Sequence, residues 1–209
     1  MTLRVVVIGA GGHAKVLIET LQQQGAELVV LTDAAPERRG RQVLGWPVSG
    51  GDELVLAQDP ARVRLVNALG SVNRGTLERR RAAYERFTAR GFRFAQVVHG
   101  AAVVSSHAHL DEGAQVMAGA VIQPGVRIGE NCIVNTSASV DHDCTIGAHC
   151  HIAPGVRLSG RVELGDQVHV GTGAVVVQGV RIGAGTVIGA GAVVRENVDA
   201  GTTLRGNRE

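Results

Sequence analysis

From Val98 onwards, every sixth residue is aliphatic. Stepping by six from Val98 through Val104, Leu110, Val116 and Ile122 to Val194 meets 17 positions, all Leu, Ile or Val. With such residues at about a third of positions, chance gives that run about once in 10⁸ trials, so the period is structural. A second register lies four places after each aliphatic residue. Ala102, Ala108, Ala114, Ala120, Val126 and Cys132, and so on to Val198, are all small. Glycine often follows the aliphatic residue directly, as at Gly129, Gly147 and Gly165. Neither the 3.6-residue turn of a helix nor the two-residue alternation of a strand yields this period. A triangular coil does: each face takes about six residues, and stacked coils pair their strands in parallel. The pattern predicts a left-handed parallel β-helix over residues 99–209, with the aliphatic side chains inside and the small ones near the corners.

Residues 1–98 lack this period and read as a small α/β, Rossmann-like domain. Leu3 to Ile8 is a short apolar run, expected as a buried parallel strand. Gly9-Ala10-Gly11-Gly12-His13-Ala14 follows, and Lys15 to Gln24 reads as an amphipathic helix. Leu28 to Thr32 is a second strand, ending at Asp33. A third strand from Arg64 to Leu69 leads into Gly70-Ser71-Val72-Asn73. A helix from Thr76 to Arg90 and a strand from Phe92 to Val97 complete the domain, with a boundary near His99 and Gly100. The glycine turn lets backbone amides and a helix N-terminus approach an anionic group. Gly11, Gly12 and His13 are therefore candidate phosphate or sugar contacts, and Asp33 sits where a ribose or base acceptor is expected. For His13, an exposed turn histidine is the competing reading. A domain this short suits the diphosphate of a nucleotide sugar better than a whole dinucleotide.

Composition narrows the classes. The chain has 29 glycines and five aromatic residues, yet is 44% hydrophobic, so its core is built from Val, Ile, Leu and Ala. The net charge is +2. The run Arg79-Arg80-Arg81, near Glu78 and Glu85, is expected to be a solvated helix face, and no interleaved aromatics suggest nucleic-acid stacking. No apolar run reaches the ~18 residues of a membrane span, and the N-terminal one is too short for a signal peptide. Cys132, Cys144 and Cys150 all fall in the small-residue register and read as packed core thiols. Trp46 is expected to pack at a strand edge. A cytoplasmic protein is the default expectation.

Seven of the eight histidines lie at or beyond His99. His142 stands out, because it lies outside both inward registers and between Asp141 and Asp143. A carboxylate beside an imidazole fixes its tautomer and supports its charged form, as a general base requires. A surface histidine between solvated acids is the bland alternative. His151 is also outside the inward registers, with His169 one coil later. His142, His149 and His151 would hold a zinc ion only if neighbouring subunits brought them together.

These motifs resemble the sugar acyltransferases of the sialic acid O-acetyltransferase type, above all the bacterial nucleotide-linked amino-sugar N-acetyltransferases. The resemblance rests on Gly9-Ala10-Gly11-Gly12-His13-Ala14-Lys15, on Asn135-Thr136 leading to Asp141-His142-Asp143-Cys144, on Gly147 with Cys150-His151, and on the hexapeptide repeats. It implies acetyl-CoA as co-substrate, no metal, a nucleotide-sugar substrate, and a homotrimer with active sites between subunits. It implies His142 as catalytic base, Asp143 as its acidic partner and His151 near the acetyl group. Gly11, Gly12, His13, Asp33 and Asn73 match nucleotide-side positions, and Gly160, Thr172 and Ala190 match CoA contacts. The implied reaction is acetylation of a nucleotide-linked 4-amino-4,6-dideoxy sugar, in polysaccharide biosynthesis. Acetylation of a sugar hydroxyl, a zinc-dependent hydro-lyase on the same β-helix, and a non-catalytic nucleotide-sugar scaffold are the alternatives. The base stays open among UDP, GDP and dTDP. Two features depart from the family pattern: the Gly70–Asn73 turn is one residue longer, and the end, Gly206-Asn207-Arg208-Glu209, lacks a Gly-x-Pro segment.

Overall fold

Five strands build the N-terminal sheet: β1 (Arg4–Ile8), β2 (Glu27–Thr32), β3 (Gln42–Val43), β4 (Trp46–Gly50) and β5 (Arg64–Asn67). The computed structural model describes residues 2–206; Asn207, Arg208 and Glu209 of the atypical tail lie outside the described residues. The strand order is β3-β4-β2-β1-β5, parallel except for the β3–β4 hairpin. Alternate residues of β1 serve opposite faces. Val5 and Val7 pack against Leu17, Ile18 and Leu21 of α1 (Gly12–Gln23). Short α2 (Asp52–Leu56) joins β4 to β5, and α3 (Arg74–Thr88) follows. Val6 and Ile8 pack on the other face, against Tyr84 and Phe87 of α3.

Several boundaries differ from the sequence expectation for local reasons. The first helix begins at Gly12 rather than Lys15, because the turn is compressed onto Gly11 as N-cap. Gly9 makes this turn at φ +98°, and a Cβ there would lie 2.8 Å from the Leu69 side chain. The third helix begins at Arg74, set by a capping box between Asn73 and Thr76. The segment 92–96 makes one bridge, Phe94 to Leu65, instead of a full strand, and Val97 already pairs with Gln115 in the β-helix. Its Phe94 amide donates to the Glu112 carboxylate at 2.7 Å, which diverts it towards the β-helix. Strands β3 and β4 and helix α2 were not expected; they are too short for a periodic signal.

The basic run is also corrected. Arg80 is 1% exposed, not solvated. Its guanidinium donates to the carbonyls of Asn67 at 2.6 Å, Leu69 at 2.9 Å and Asn131 at 3.3 Å. It ties the end of β5 to the β-helix with no carboxylate partner among the described residues, and burial pulls its pKa down to about 9. Arg81 remains near the surface, paired with Glu85.

From Val97 the chain winds into a left-handed β-helix of two-residue strands, stacked into three parallel sheets of seven, six and five strands. The aliphatic register fills the interior. The small register lies there too: Ala114, Cys132, Cys150 and Val168 belong to the same buried cluster as Val116, Val134 and Ile152. All three cysteines are buried in it. Every corner from Gly113 to Gly191, in steps of six, takes a left-handed φ, including the non-glycines Asn131, Ser137, Asp143, His149, Arg161 and Gln167.

The seven-strand face carries Gln115–Val116, Ile133–Val134, His151–Ile152 and His169–Val170. The first residue of each points outward, yet Gln115, Ile133, His151 and His169 are buried, because the N-terminal domain docks there. Arg127, Thr145, Arg157, Glu163 and Arg181, outward on the other faces, are exposed. No helix among the described residues is long and apolar enough to cross a membrane.

Glycines after the aliphatic register are required by stacking. A Cβ on Gly147 would lie 2.7 Å from the Gly165 carbonyl carbon in the next coil, whereas Gly100 has nothing within 4 Å. Gly147→Ala is expected to cost about 1–3 kcal/mol, as overpacking does, while Gly100→Ala leaves stability unchanged; denaturant unfolding of both variants measures the contrast.

Candidate active site

His142 lies at the prism edge between Ser139–Val140 on the six-strand face and Thr145–Ile146 on the five-strand face. Asp143 is the left-handed corner residue, with φ 60°. That conformation is costly for most residues and tolerated by Asp. It turns the Asp143 carboxylate back onto its neighbour, so that His142 Nδ1–H donates to Oδ2 at 2.9 Å. The Asp141 carboxylate accepts the His142 backbone amide at 2.7 Å. This leaves Nε2 as the unshared lone pair of a half-exposed ring. One coil later lies Gly160, where a Cβ would be 2.6 Å from Nε2; one coil before Asp143 lies Gly125, where a Cβ would be 2.5 Å from Oδ1. Both glycines keep space for the pair. The Cys144 thiol beside it points inward, donates to the Ser159 carbonyl at 3.1 Å, and is pushed up to about 11 by burial. It is not placed as a nucleophile.

A cavity of about 650 Å³ opens at the carboxyl ends of β1, β2 and β5, where the strand order reverses. Gly11, Asp33, Arg38, Asp52, Arg79 and Arg86 line it. Gly12 borders a smaller adjoining cavity with Lys15 and Arg41. Asp33 is not an open acceptor: its side chain takes the amides of Ala10 at 2.7 Å and Ala35 at 2.9 Å, and the Arg38 guanidinium at 2.9 Å. It pins the glycine turn to the loop after β2. Asn73 caps α3, accepting the Thr76 amide at 3.0 Å.

His13 is part-buried and not an exposed turn residue. Its Nε2–H donates to Gln115 at 2.7 Å, and Gln115 donates in turn to the Asn67 carbonyl at 2.8 Å. Burial, reinforced by the Arg80 cation, lowers its pKa to about 4. His151 is enclosed on the docked face. Its Nδ1–H donates to the Ser71 carbonyl at 2.7 Å, and its Nε2 accepts from Asn135 at 3.1 Å. Burial and the edge-on His169 ring, 5.2 Å away between centroids, lower its pKa to about 3. Within one chain, His151 is on the face opposite the edge that bears His142. His149 sits elsewhere again, edge-on to Tyr84, its Nδ1 accepting from Asn131 at 3.0 Å. The three histidines considered for zinc thus occupy three separate places, and among the described residues no three metal-binding side chains gather. Thr172 and Ala190 stack one coil apart at an exposed corner after the docked face, on a different edge from Gly160.

The PglD N-terminal domain family matches residues 4–85, and the bacterial transferase hexapeptide family matches residues 107–140 and 161–196. The acetyltransferase domain of PglB from Neisseria gonorrhoeae, solved with acetyl coenzyme A, is 36% identical over 97% of this chain and 96% of its own, with a TM-score of 0.88. PerB from Caulobacter crescentus, solved with CoA and GDP-perosamine, is 40% identical over 94% of this chain and 90% of its own, with a TM-score of 0.86. WeeI from Acinetobacter baumannii is 25% identical over 99% of this chain and 98% of its own, with a TM-score of 0.86. No curated protein matches in sequence.

The chain belongs to the nucleotide-sugar hexapeptide acetyltransferases.

Sequence reasoning missed part of this acetyltransferase's cavity. Arg79, Ala82, Ala83 and Arg86 recur at helical spacing along one side of α3, a signal hidden inside the basic run. Gly125 was missed as well, although its 18-residue offset from Asp143 was available.

Buried neutral histidines make the acetyltransferase sensitive to acid. The unfolded chain protonates His13 and His151 near their ordinary value of 6.5, while the folded chain resists until about 4 and about 3. The unfolded state therefore binds more protons below pH 6.5, and stability falls as pH drops towards 4, by up to about 1.4 kcal/mol per pH unit for each histidine. Thermal unfolding across this range is expected to show the slope, and His13→Gln, which keeps a donor to Gln115, is expected to reduce it.

Proposed function

We propose that this acetyltransferase moves the acetyl group of acetyl-CoA onto the amino group of a nucleotide-linked 4-amino-4,6-dideoxy sugar, with His142 as general base. The observation that carries this reading is the His142 ring, held through Nδ1 by Asp143 with Nε2 free above Gly160. The sugar amine attacks the thioester carbonyl, and Nε2 takes the proton that nitrogen sheds as the C–N bond forms. The C–S bond then breaks, and the imidazolium returns the proton to the departing thiolate. Asp143 stabilises the imidazolium between these steps. The Gly160 amide, without a protein acceptor among the described residues, supports a reading in which it donates to the tetrahedral oxyanion. Both nitrogens of His151 are already bonded, so we give it a positioning role under the N-terminal domain. The arginines Arg38 and Arg79 and the N-terminus of α1 suit the diphosphate, while Thr172 and Ala190 form an exposed corner for CoA.

The same geometry favours a homotrimer as the active unit. The nucleotide cavity belongs to the domain on the docked face, and His142 lies on the opposite edge of the same β-helix. A second copy presenting its His142 to this cavity completes the site. On the face next to that edge, outward valines form two apolar patches, one with Val103, 63% exposed, and one with Val193, 41% exposed, separated by Ser139 and Arg157, and these suit subunit packing.

Thiol release from acetyl-CoA against a panel of nucleotide-linked 4-amino sugars tests the reaction. A product that gains one acetyl group and resists hydroxylamine is expected, because amides survive it and esters do not. His142→Ala is expected to lower kcat by about 10²-fold or more with oligomeric state unchanged; near-normal turnover overturns the assignment. Co-refolding inactive His142→Ala chains with inactive Arg79→Glu chains is expected to restore activity, since mixed trimers contain intact sites between subunits; no recovery overturns the shared site.

A further inference from the structure

The nucleotide cavity continues as a groove along one side of α3, lined there by Thr76, Arg79, Ala82, Ala83 and Arg86. Thr76 and Arg86 are ten residues apart, which on a helix is about 15 Å, long enough for a nucleoside diphosphate laid along it. The two ends differ in chemistry. One holds Gly11, Leu69 and Gly70 at the N-terminus of α1, where an anionic group is favoured. The other holds the carboxylate of Asp52 in an ion pair with the guanidinium of Arg86. That guanidinium also lies 4.6 Å from the centroid of the Phe87 ring, so two contacts fix its position. Between the ends, Ala82 and Ala83 present only methyl groups, a flat floor for a planar ring.

With the diphosphate at the glycine end, the base falls at the Asp52–Arg86 end. The ion pair sets the carboxylate acceptors of Asp52 beside the guanidinium donors of Arg86. Guanine offers the complement: the N2 and N1 hydrogens are donors, and O6 and N7 are acceptors. Uracil and thymine present one N–H between two carbonyl oxygens, so the second carboxylate oxygen meets a like partial charge. Adenine opposes the carboxylate with the lone pair of N1.

We infer that the Asp52–Arg86 end of the groove is a base subsite that takes guanine, Asp52 accepting from N1–H and N2–H and Arg86 donating to O6, an inference that rests on the nucleotide-sugar reading above. The diphosphates then rank by their match to this edge. Xanthine carries a carbonyl oxygen where guanine has its 2-amino group, so it is poorly matched to Asp52 and well matched to an asparagine, which accepts from N1–H and donates to O2.

Calorimetric titration of the full chain with GDP, UDP, dTDP, ADP and XDP tests this. GDP is expected to bind at least about tenfold more tightly than the others, the scale of a bidentate base contact. Asp52→Asn is expected to lose about tenfold or more for GDP and to gain for XDP, a rescue that a misfolded variant does not give. Tightest binding by UDP, dTDP or ADP overturns the guanine assignment and leaves the nucleotide-sugar reading standing. A GDP preference that survives Asp52→Asn overturns the role of Asp52. Failure of all five diphosphates to bind overturns both readings.

Discussion

A coil that closes on itself in three faces must bend sharply at each corner, and here every corner from Gly113 to Gly191 does so with one residue at φ between 54° and 77°. Glycine takes this conformation freely, whereas other L-residues lose about 1–2 kcal/mol in it. The distribution of that cost is informative. Glycine occupies the corners from Gly113 to Gly125 and again from Gly173 to Gly191, while a non-glycine run from Asn131 to His149 occupies the middle. Asp143 uses the bend to reach His142. Asn131 and His149 use theirs to meet each other beneath the N-terminal domain. Arg161 and Gln167 share the conformation with nothing in the structure to explain them.

The second constraint is the seam between the domains. It is polar and closely bonded: His13 to Gln115, Gln115 to the Asn67 carbonyl, Arg80 to the Asn131 carbonyl, Asn67 to Asn131, and His151 to Ser71. Arg80 is its buried cation, and the histidines around it stay neutral. A seam of directional bonds tolerates one docking geometry, whereas an apolar seam tolerates sliding. The N-terminal domain is thereby held to chosen coils of the β-helix, and the cavity at its strand ends is fixed relative to the edge that carries His142.

The β-helix was legible because its period is absolute: two registers six apart name the interior without reference to any distant residue. His142 was legible by subtraction, as a chemically rich position outside both registers. The seam was not legible. Arg80 looks like its neighbours Arg79 and Arg81 in a basic run, and only the docking of α3 onto the coils separates a buried staple from a surface charge. His13 and His151 looked like ligands for the same reason, since their partners Gln115 and Ser71 are 102 and 80 residues away. Asn73 and Asp33 carried the signature of binding residues, and the structure adds a local duty for each, a helix cap and a turn brace.

The stacking of His142 over Gly160, and of Asp143 over Gly125, depends on a count of 18 residues and on no side-chain recognition between coils. The helix behaves as a screw thread. Outward positions away from the seam and the His142 edge tolerate substitution, yet one residue gained or lost between a catalytic side chain and the glycine beneath it moves every later residue off its face. Homologous lineages can therefore vary the length of this thread at its free end, or bulge a loop out of a corner, but cannot splice its middle.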